Sequence, residues 1–256
     1  MRLFYDLHLH SCLSPCGSDE MTPNNLVNMA ALLGFQMIAV TDHNACGNAG
    51  AAVEAGRAAG LVVVPGMELC TAEEAHVVCL FPTVAAAEEF EAIVVRHSPP
   101  LRNRPEIFGR QLRRDALDEV VGEEERMLLA ASLLSVEEAA VQVRSLDGAA
   151  FPAHVDRDSY SLIASLGAIP PEPGFRAAEI SPAGDPRAML KMHPELCGML
   201  LPMNSDAHYL ENMPDPCAWM ELPEASPEAL IAALNGEIRV PWYRPGRTAD
   251  GLSWEC

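Results

Sequence analysis

Short apolar runs alternate with segments of helical spacing along the N-terminal third of the chain. Apolar side chains between Pro23 and Gly34 recur every three or four residues, and residues 49–59 repeat that pattern before Gly60. Before, between and after these two helices lie apolar stretches without polar alternation, at residues 3–7, 37–40, 61–64 and 76–81. Strands of this kind, separated by helices, predict a parallel sheet whose faces are covered by helices.

The same alternation returns after a long interruption. Residues 84–147 have a mostly helical pattern and are too many for a simple crossover, which predicts a helical insertion. Further strands are predicted at residues 149–153, 177–180 and 199–202, with helices at 159–166, 186–192 and 227–234, before an irregular tail containing Trp242, Tyr243 and Trp254. Seven or so parallel strands favour a closed α/β barrel over an open sheet, in a single domain spanning residues 1–256.

Histidines and carboxylates cluster directly after the predicted strands. His8 and His10 end the first strand two residues apart, so their side chains point to the same side. The other candidates are Thr41-Asp42-His43, Gly66-Met67-Glu68, His76, His154 and Asn204-Ser205-Asp206-Ala207-His208. Functional side chains of barrels gather at the carboxyl ends of strands, and only His76, at the start of its strand, departs from that position. Imidazoles and carboxylates together predict a metal site.

These motifs, in this order, resemble those of the PHP (polymerase and histidinol phosphatase) superfamily. The resemblance covers residues 3–82 and 148–210 and implies a distorted (β/α)7 TIM-like barrel that binds two or three divalent ions. Carried over by motif, it assigns His8, His10, Glu68 and Asp206 to one ion, Asp19, His43 and His208 to a second, and His76 and His154 to a third, with Glu68 as a bridge. Zinc, manganese and iron all suit such mixed sites.

The chain departs from the family in the loop after His10. Relatives carry Ser-Asp-Gly or a third histidine here, whereas this chain has Ser14-Pro15-Cys16-Gly17. We expect Asp19 to replace that ligand, with Glu20 in reserve; if neither reaches, the centre holds two ions. Cysteines near the motifs (Cys12, Cys16, Cys46 and Cys70) either supply an extra soft ligand or a redox-sensitive group, or are idle thiols. Idle thiols are favoured, because the nitrogen and oxygen set is complete without them.

Two further residues are predicted to take part in catalysis. Asp42 either orients a ligand or shuttles a proton, or it caps the loop that follows. Arg157 either contacts a phosphate or pairs with Asp156 or Asp158. Neighbouring metal ions lower the pKa of a shared water, so that hydroxide is available to attack phosphorus near neutral pH.

Charge and composition narrow the choice of substrate and location. The chain has 17 basic and 36 acidic residues, a net charge of −19, which argues against a long nucleic-acid track. Six arginines are an exception, either as a solvated helix face paired with nearby acids or as a rim that attracts phosphate: Arg96, Arg102, Arg104, Arg110, Arg113 and Arg114. No apolar run is long enough to cross a membrane and no signal peptide is evident, so we predict a cytoplasmic protein with reduced cysteines.

The combined prediction is a metal-dependent hydrolase that cleaves a phosphate ester of a small soluble substrate, either a phosphomonoester or a nucleotide. The alternatives are a 3′–5′ nuclease acting on short oligonucleotides and a metal-binding regulatory protein without catalysis. Hydrolysis of C–N bonds is weakly supported, because related chemistry in other barrels uses a carbamylated lysine and the only lysine, Lys191, lies in a predicted helix.

Overall fold

The β-α alternation predicted for the N-terminal third is present. The computed structural model describes residues 1–245, so the predicted tail residue Trp254 lies outside the described residues. The first elements are β1 (Arg2–Leu9), α1 (Pro23–Leu33), β2 (Met37–Val40), α2 (Ala49–Ala59), β3 (Val62–Cys70) and β4 (His76–Leu80). Helix α1 begins where the Thr22 side chain accepts a hydrogen bond from the Asn25 N–H, and it ends at Gly34, whose φ of 98° favours glycine.

The remaining described elements are shorter and less regular. They are α3 (Val84–Arg96), α4 (Pro105–Phe108), β5 (Leu112–Arg114), β6 (Val120–Glu123), α5 (Val136–Ser145), β7 (Ala149–Pro152), α6 (Leu162–Leu166), α7 (Pro186–Met192), β8 (Trp219–Glu221), α8 (Pro227–Leu234) and β9 (Trp242–Tyr243). Single 3-10 turns occur at Pro194–Leu196 and Leu210–Asn212. The predicted tail residues Trp242 and Tyr243 thus form a short strand.

The central sheet is mixed rather than parallel. Its seven strands follow the order β7-β4-β3-β2-β1-β8-β9. Only β1, β2 and β3 pair in parallel, while β4, β7, β8 and β9 pair antiparallel with their neighbours. The prediction of a wholly parallel sheet is therefore wrong. The turn from Thr71 to Ala75 explains β4, because so short a connection makes a hairpin and cannot hold a crossover helix.

The side of the barrel opposite the sheet closes through irregular segments. Ala177 and Leu200 form an isolated parallel bridge where two strands were predicted. The Glu179 N–H donates to the Pro152 carbonyl at 2.9 Å, which ties this segment to β7, and the Asp206 N–H donates to the His8 carbonyl at 3.0 Å, which ties the next one to β1. The fold is thus a TIM-like curled half-barrel of mixed α/β type, without the strand count of a regular (β/α)7 barrel.

The segment predicted as a helical insertion is helical mainly at its ends. Helices α3 and α5 flank residues 97–135, which contain the short α4 and an antiparallel pair formed by β5 and β6. The hairpin was missed because neither strand shows apolar alternation: Leu112 is followed by two arginines, and Val120 and Val121 are both exposed.

The arginine-rich part of this segment is largely neutralised by nearby acids. Arg113 lies 2.5 Å from Glu124 and 3.4 Å from Glu91, and Arg110 lies 3.2 Å from Glu123. Arg102 pairs with Glu125 at 3.5 Å between two exposed side chains. The salt bridges of the first interpretation therefore describe these three arginines better than a phosphate-attracting rim, although the three residues lie outside any helix rather than on a helix face.

Successive residues of the strands pack on opposite sides of the sheet. Met37 and Ala39 of β2 belong to the cluster inside the barrel, whereas Ile38 and Val40 pack beneath α1 and α2. Strands buried on both faces explain the continuous apolar runs in the sequence. Their polar residues are consequently confined to the strand ends, where the site lies.

Two further expectations can be compared with the described residues. No helix within residues 1–245 is both long enough and apolar enough to cross a membrane. Six cysteines within these residues are free thiols: Cys12, Cys16, Cys46, Cys70, Cys79 and Cys217.

Candidate metal centre

Most of the predicted site residues meet at one end of the barrel. His8 and His10 end β1, His43 follows β2, and Glu68 lies near the end of β3. His76 begins β4, and because β4 runs antiparallel to β3, its first residue pairs with Cys70 at the same end. The position of His76, which the predicted parallel sheet could not explain, follows from this strand direction.

Glu68 is the common neighbour of five imidazoles. Its carboxylate oxygens lie 2.8 to 3.3 Å from nitrogen atoms of His8, His10, His43, His76 and His154. The side chain is only 1% exposed. A single buried carboxylate at the centre of so many imidazoles is suited to bridging metal ions.

Asp206 forms a second junction beside Glu68. Its Oδ1 atom lies 3.0 Å from His10 Nε2 and 3.4 Å from His8 Nε2, and Oδ2 lies 2.6 Å from Arg157 Nη1. Within residues 1–245, atoms able to bind a metal ion converge in three groups. The first group is His8, His10, Glu68 and Asp206, the second is His10, His43 and His208, and the third is His43, Glu68 and His76. The first group contains the four residues expected to hold one ion together.

The donor atoms in these groups fit metal ions better than hydrogen bonds. His8 Nε2, His10 Nε2, Glu68 Oε2 and Asp206 Oδ1 are buried and have no hydrogen-bond partner. Buried polar atoms are rarely left without one, because each unsatisfied group costs about 1–3 kcal/mol. Lone pairs that converge without a donor among them form a site for cations.

Hydrogen bonds to the Nδ1 atoms, which face away from the cluster, orient three of these histidines. His8 Nδ1 lies 3.1 Å from Glu179 Oε2, and His208 Nδ1 lies 2.9 Å from the Asp206 carbonyl. His10 Nδ1 lies 2.9 Å from the Ser14 hydroxyl, which itself donates to Asp42. These acceptors place the imidazole proton on Nδ1, which leaves the Nε2 lone pair directed into the cluster.

The cluster perturbs the pKa values of its members in opposite directions. Burial raises the pKa of Glu68, but His76, His8 and His43 outweigh that effect and hold it well below its usual value. Burial lowers the pKa of His10, yet the neighbouring carboxylates of Asp206 and Glu68 raise it to about 9. Burial and the charge of His10 lower the pKa of His208 to about 3. Because neighbouring imidazoles repel one another's protons, the cluster cannot be fully protonated near neutral pH.

Two residues support the cluster from behind: Glu179, which sequence reasoning missed, and Asn204, which it named only as the first residue of the Asn204-Ser205-Asp206-Ala207-His208 motif. The Glu179 carboxylate accepts hydrogen bonds from the His154 N–H at 3.1 Å and from Asn204 Nδ2 at 2.6 Å, besides His8. Asn204 in turn accepts one from the Leu7 N–H at 2.9 Å. A glutamate within the apolar run at residues 177–180 is the signal that could have identified this role.

Asp42 is buried beneath the loop that follows His10. Its carboxylate accepts hydrogen bonds from the Ser11 N–H at 2.7 Å, from the Ser11 hydroxyl at 2.6 Å and from the Ser14 hydroxyl at 2.7 Å. It is 1% exposed and reaches His10 through Ser14. Of the roles predicted for Asp42, this geometry favours orientation of a ligand over proton transfer in the pocket.

Asp19 is not brought to the cluster. It is exposed, and none of the three groups found within residues 1–245 includes it. Glu20, its predicted reserve, is exposed too. In the second group His10 joins His43 and His208, so the expected carboxylate is missing from that position.

The cluster forms the floor of an open pocket of about 290 Å³. Its lining consists of Cys16, His43, Glu68, Cys70, His76, Leu128, Leu129, His154, Arg157, Ser159, Tyr160, Asp206 and His208. Tyr160 stacks on His76 with ring centres 4.8 Å apart, and Leu128 and Leu129 come from the insertion. A larger hollow of about 420 Å³, beside Gly148 and Asn235, is lined by none of the predicted site residues.

Two of the predicted ligands have strained backbone geometry. His154 has a φ of 28° and Asp206 a φ of 54°, in the left-handed region that favours glycine. Such conformations persist where the surroundings enforce them, and they concentrate at functional sites. At Asp206 the constraint comes from hydrogen bonds to β1 and from Asp6, which accepts from the Ser205 N–H at 3.1 Å.

Comparison with solved structures identifies similar folds. The lesion-specific endonuclease PfuEndoQ from Pyrococcus furiosus is 20% identical, with a TM-score of 0.68 over 94% of this chain and 57% of the endonuclease. A proposed metal-dependent phosphoesterase from Bifidobacterium adolescentis is 20% identical, with a TM-score of 0.54 over 80% of this chain and 87% of its own. An amidohydrolase from Chromobacterium violaceum is 18% identical, with a TM-score of 0.56 over 94% and 98%. These likenesses concern the fold, and this chain spans little more than half of the endonuclease.

Comparison at the level of sequence is more specific. No curated protein matches the chain. The PHP domain model matches residues 6–135, just over half of the 256 residues, and this range contains His8, His10, His43, Glu68 and His76. The resemblance seen in the motifs is therefore confirmed, and the chain belongs to the PHP domain family.

Proposed function

We propose that this protein is a metal-dependent hydrolase of phosphate esters with a small soluble substrate, either a phosphomonoester or a nucleotide. One observation carries the proposal: buried imidazole and carboxylate atoms without hydrogen-bond partners converge on the floor of an open pocket. Membership of the PHP family supports it, because the family consists generally of metal-dependent hydrolases.

The ligand set supports binding of two or three divalent ions. His8, His10, Glu68 and Asp206 would hold one ion, His43 and His208 would contribute to a second, and His76 and His154 would contribute to a third beside Glu68. Bound ions would supply Lewis acidity, which activates water near neutral pH and stabilises negative charge on phosphoryl oxygens. Glu179 and Asp42 would keep the imidazole lone pairs directed at the ions.

The pocket wall supports recognition of a phosphate group. Arg157 is 42% exposed at the rim while its guanidinium lies against Asp206, so a phosphate placed over the ligands would lie within its reach. Leu128, Leu129 and the ring of Tyr160 form an apolar side that excludes water from part of the pocket. Arg157 would orient the substrate and form an ion pair with its phosphate group.

Charge and pocket size favour a small substrate. Arg157 is the one arginine or lysine among the described lining residues, and the net charge of −19 opposes a long polyanion. A fold shared with PfuEndoQ keeps short oligonucleotides among the substrates to be tested. Amide hydrolysis has less support, despite the fold shared with an amidohydrolase, because Lys191 is exposed on α7 and lines no part of the pocket.

The test is phosphate release from a panel of sugar phosphates, histidinol phosphate, nucleoside mono- and bisphosphates and short oligonucleotides. Protein reloaded with Mn²⁺ is compared with Asp206→Ala, which removes a ligand of the first group. Turnover of a small-ester class that disappears in the variant is the expected result. Turnover of oligonucleotides alone would replace the proposal with a nuclease. If protein that carries two or three ions releases phosphate from no member of the panel, the result would favour a regulatory metal-binding protein.

A further inference from the structure

One wall of the pocket above the cluster is apolar and aromatic. Leu128 and Leu129 reach this wall from the insertion, and Tyr160 reaches it from the loop that follows β7. Leu128 is almost fully buried, whereas Tyr160 is 51% exposed. An aromatic ring that is left open beside a polar site offers a face on which a flat group can stack.

The ring of Tyr160 lies one imidazole away from the centre of the cluster. It stacks on His76 with ring centres 4.8 Å apart and the two planes inclined by 24°, and His76 Nδ1 lies 2.8 Å from Glu68 Oε1. Because His76 covers one face of the phenol ring, the exposed half of the residue borders the pocket. A ring stacked there would lie next to a phosphate bound over the predicted ligands.

The backbone holds Tyr160 in this position. Its φ is 54°, a left-handed conformation that bulky residues rarely adopt. The His76 N–H donates to the Tyr160 carbonyl at 2.8 Å, and the Ser161 hydroxyl donates to the Arg157 carbonyl at 2.7 Å. Strain of this kind is retained where the surroundings enforce it, and it concentrates at functional sites. One loop thus presents His154, Arg157 and Tyr160 to the same pocket.

The pocket offers few partners for the hydroxyl groups of a sugar. Besides the predicted metal ligands and thiols, the polar side chains of its described lining are Arg157, Ser159 and the Tyr160 phenol. A polyol placed against Leu128 and Leu129 would leave hydroxyl groups without hydrogen-bond partners, which costs free energy. A flat ring with little polar surface carries no such cost.

We propose that Tyr160 selects phosphomonoesters whose alcohol carries an aromatic or heteroaromatic ring. The ring stacks on the exposed face of Tyr160 while Arg157 holds the phosphate over the metal ligands. In the hydrolysis, the water oxygen joins phosphorus and the P–O bond to the alcohol breaks. One water proton ends on the released alcohol and the other stays with the phosphate. The inference rests on the proposed function, because it names the substrate class of the same pocket.

The test compares benzyl phosphate with cyclohexylmethyl phosphate, two esters of similar size that differ mainly in the flatness of the ring. In Mn²⁺-loaded protein we expect kcat/KM to favour the benzyl ester by about 3- to 10-fold, the range for an aromatic pair. Tyr160→Phe keeps a ring and should keep this preference, whereas Tyr160→Leu should lose it. If Tyr160 only supported His76, Tyr160→Leu would lower the turnover of both esters equally and leave their ratio unchanged.

Phosphonates in which a methylene group replaces the ester oxygen test the same wall without turnover. Calorimetric titration of Mn²⁺-loaded protein should show tighter binding of 2-phenylethylphosphonate than of 2-cyclohexylethylphosphonate, and this difference should disappear in Tyr160→Leu. Equal affinities in the wild type, binding of neither compound, or a preference that survives in Tyr160→Leu would overturn the inference.

The failures of the two proposals are distinguishable. Phosphate release without preference for a ring would leave the proposed function intact and overturn the selection by Tyr160. Preferential binding of the aromatic phosphonate by protein that hydrolyses no ester would support the selection by Tyr160 and overturn the proposed function.

Discussion

Glu179 shows how much of the candidate centre depends on residues that would touch no metal. Its carboxylate is 1% exposed and binds His8, His154 and Asn204 at once. One carboxylate oxygen of Glu179 accepts a hydrogen bond from His8 Nδ1–H, and the other accepts one from the backbone N–H of His154. The orientation of two predicted ligands therefore depends on one buried charge.

Replacement of this carboxylate should weaken metal binding without unfolding the protein. In Glu179→Gln the amide nitrogen cannot accept a hydrogen bond, so His8 or His154 loses a partner. We expect metal affinity to fall about 10- to 100-fold, the usual effect of such orienting partners. Metal titration measures it, with circular dichroism to check folding. Glu172→Gln, at an exposed position of the preceding loop, is the control and should bind like the wild type.

At the scale of the element, Gly66 determines how closely β3 approaches its neighbours. A Cβ atom at Gly66 would lie 2.8 Å from the Cys79 carbonyl oxygen, 2.8 Å from Leu80 Cδ2 and 2.9 Å from Thr41 Cγ2. The first of these is backbone of β4 and cannot move aside independently. Glycine therefore permits the close contact of β3 and β4 two residues before Glu68.

Gly66→Ala should disturb both stability and the centre. Because the strands must separate, we expect a loss of about 1–3 kcal/mol in the free energy of unfolding, as in other overpacked cores. Metal affinity should fall as well, since Glu68 is carried on the displaced strand. Gly122→Ala in β6 is the matched control, because its Cβ would meet no atom within 4 Å. Equal urea midpoints for the two variants would contradict this account.

The insertion is held together by ionic contacts that acid should break. Burial raises the pKa of Glu124, but hydrogen bonds from the Arg126 N–H and from the Arg126 and Arg113 side chains outweigh it, so the pKa is lowered. A carboxyl whose pKa is lower in the folded state stabilises the fold above its unfolded pKa. That stability disappears as the pH falls through the folded pKa.

Glu124→Gln should therefore cost stability at neutral pH and much less in acid. We expect a loss of about 1–2 kcal/mol near pH 7, because the Glu124 side chain is 10% exposed and its hydrogen bonds are charge-assisted. The difference from the wild type should be smaller at pH 3, which lies below the ordinary glutamate pKa of about 4.3, because protonation then removes part of the charge-assisted bonding. Urea unfolding at both pH values measures it. Glu125→Gln, in an exposed pair with Arg102, should change stability little at either pH.

At the scale of the whole molecule, the sequence was most informative where chemistry and strand ends coincide. The spacing of His8 and His10 alone predicts that their side chains lie on the same side of the strand. The helices whose apolar spacing is regular, such as α1 and α2, occur as expected. The direction of β4 and the open barrel side could not be predicted, because pairing partners are set by tertiary contacts. The same is true of Glu179, which meets His8 across 171 positions of the chain.

The hydrogen bonds between β1 and residues 205–208 join the earliest and latest synthesised parts of this centre. His8 and His10 leave the ribosome first, and Asp206 and His208 follow only when almost all of residues 1–245 has been made. A nascent chain therefore lacks the Asp206 that the His8, His10 and Glu68 group needs. Full loading of the proposed centre would then follow the synthesis of residues 205–208, and the ions acquired would reflect the metals that surround the finished protein. Preparations from differently supplemented growth media would accordingly differ in metal content while sharing one fold.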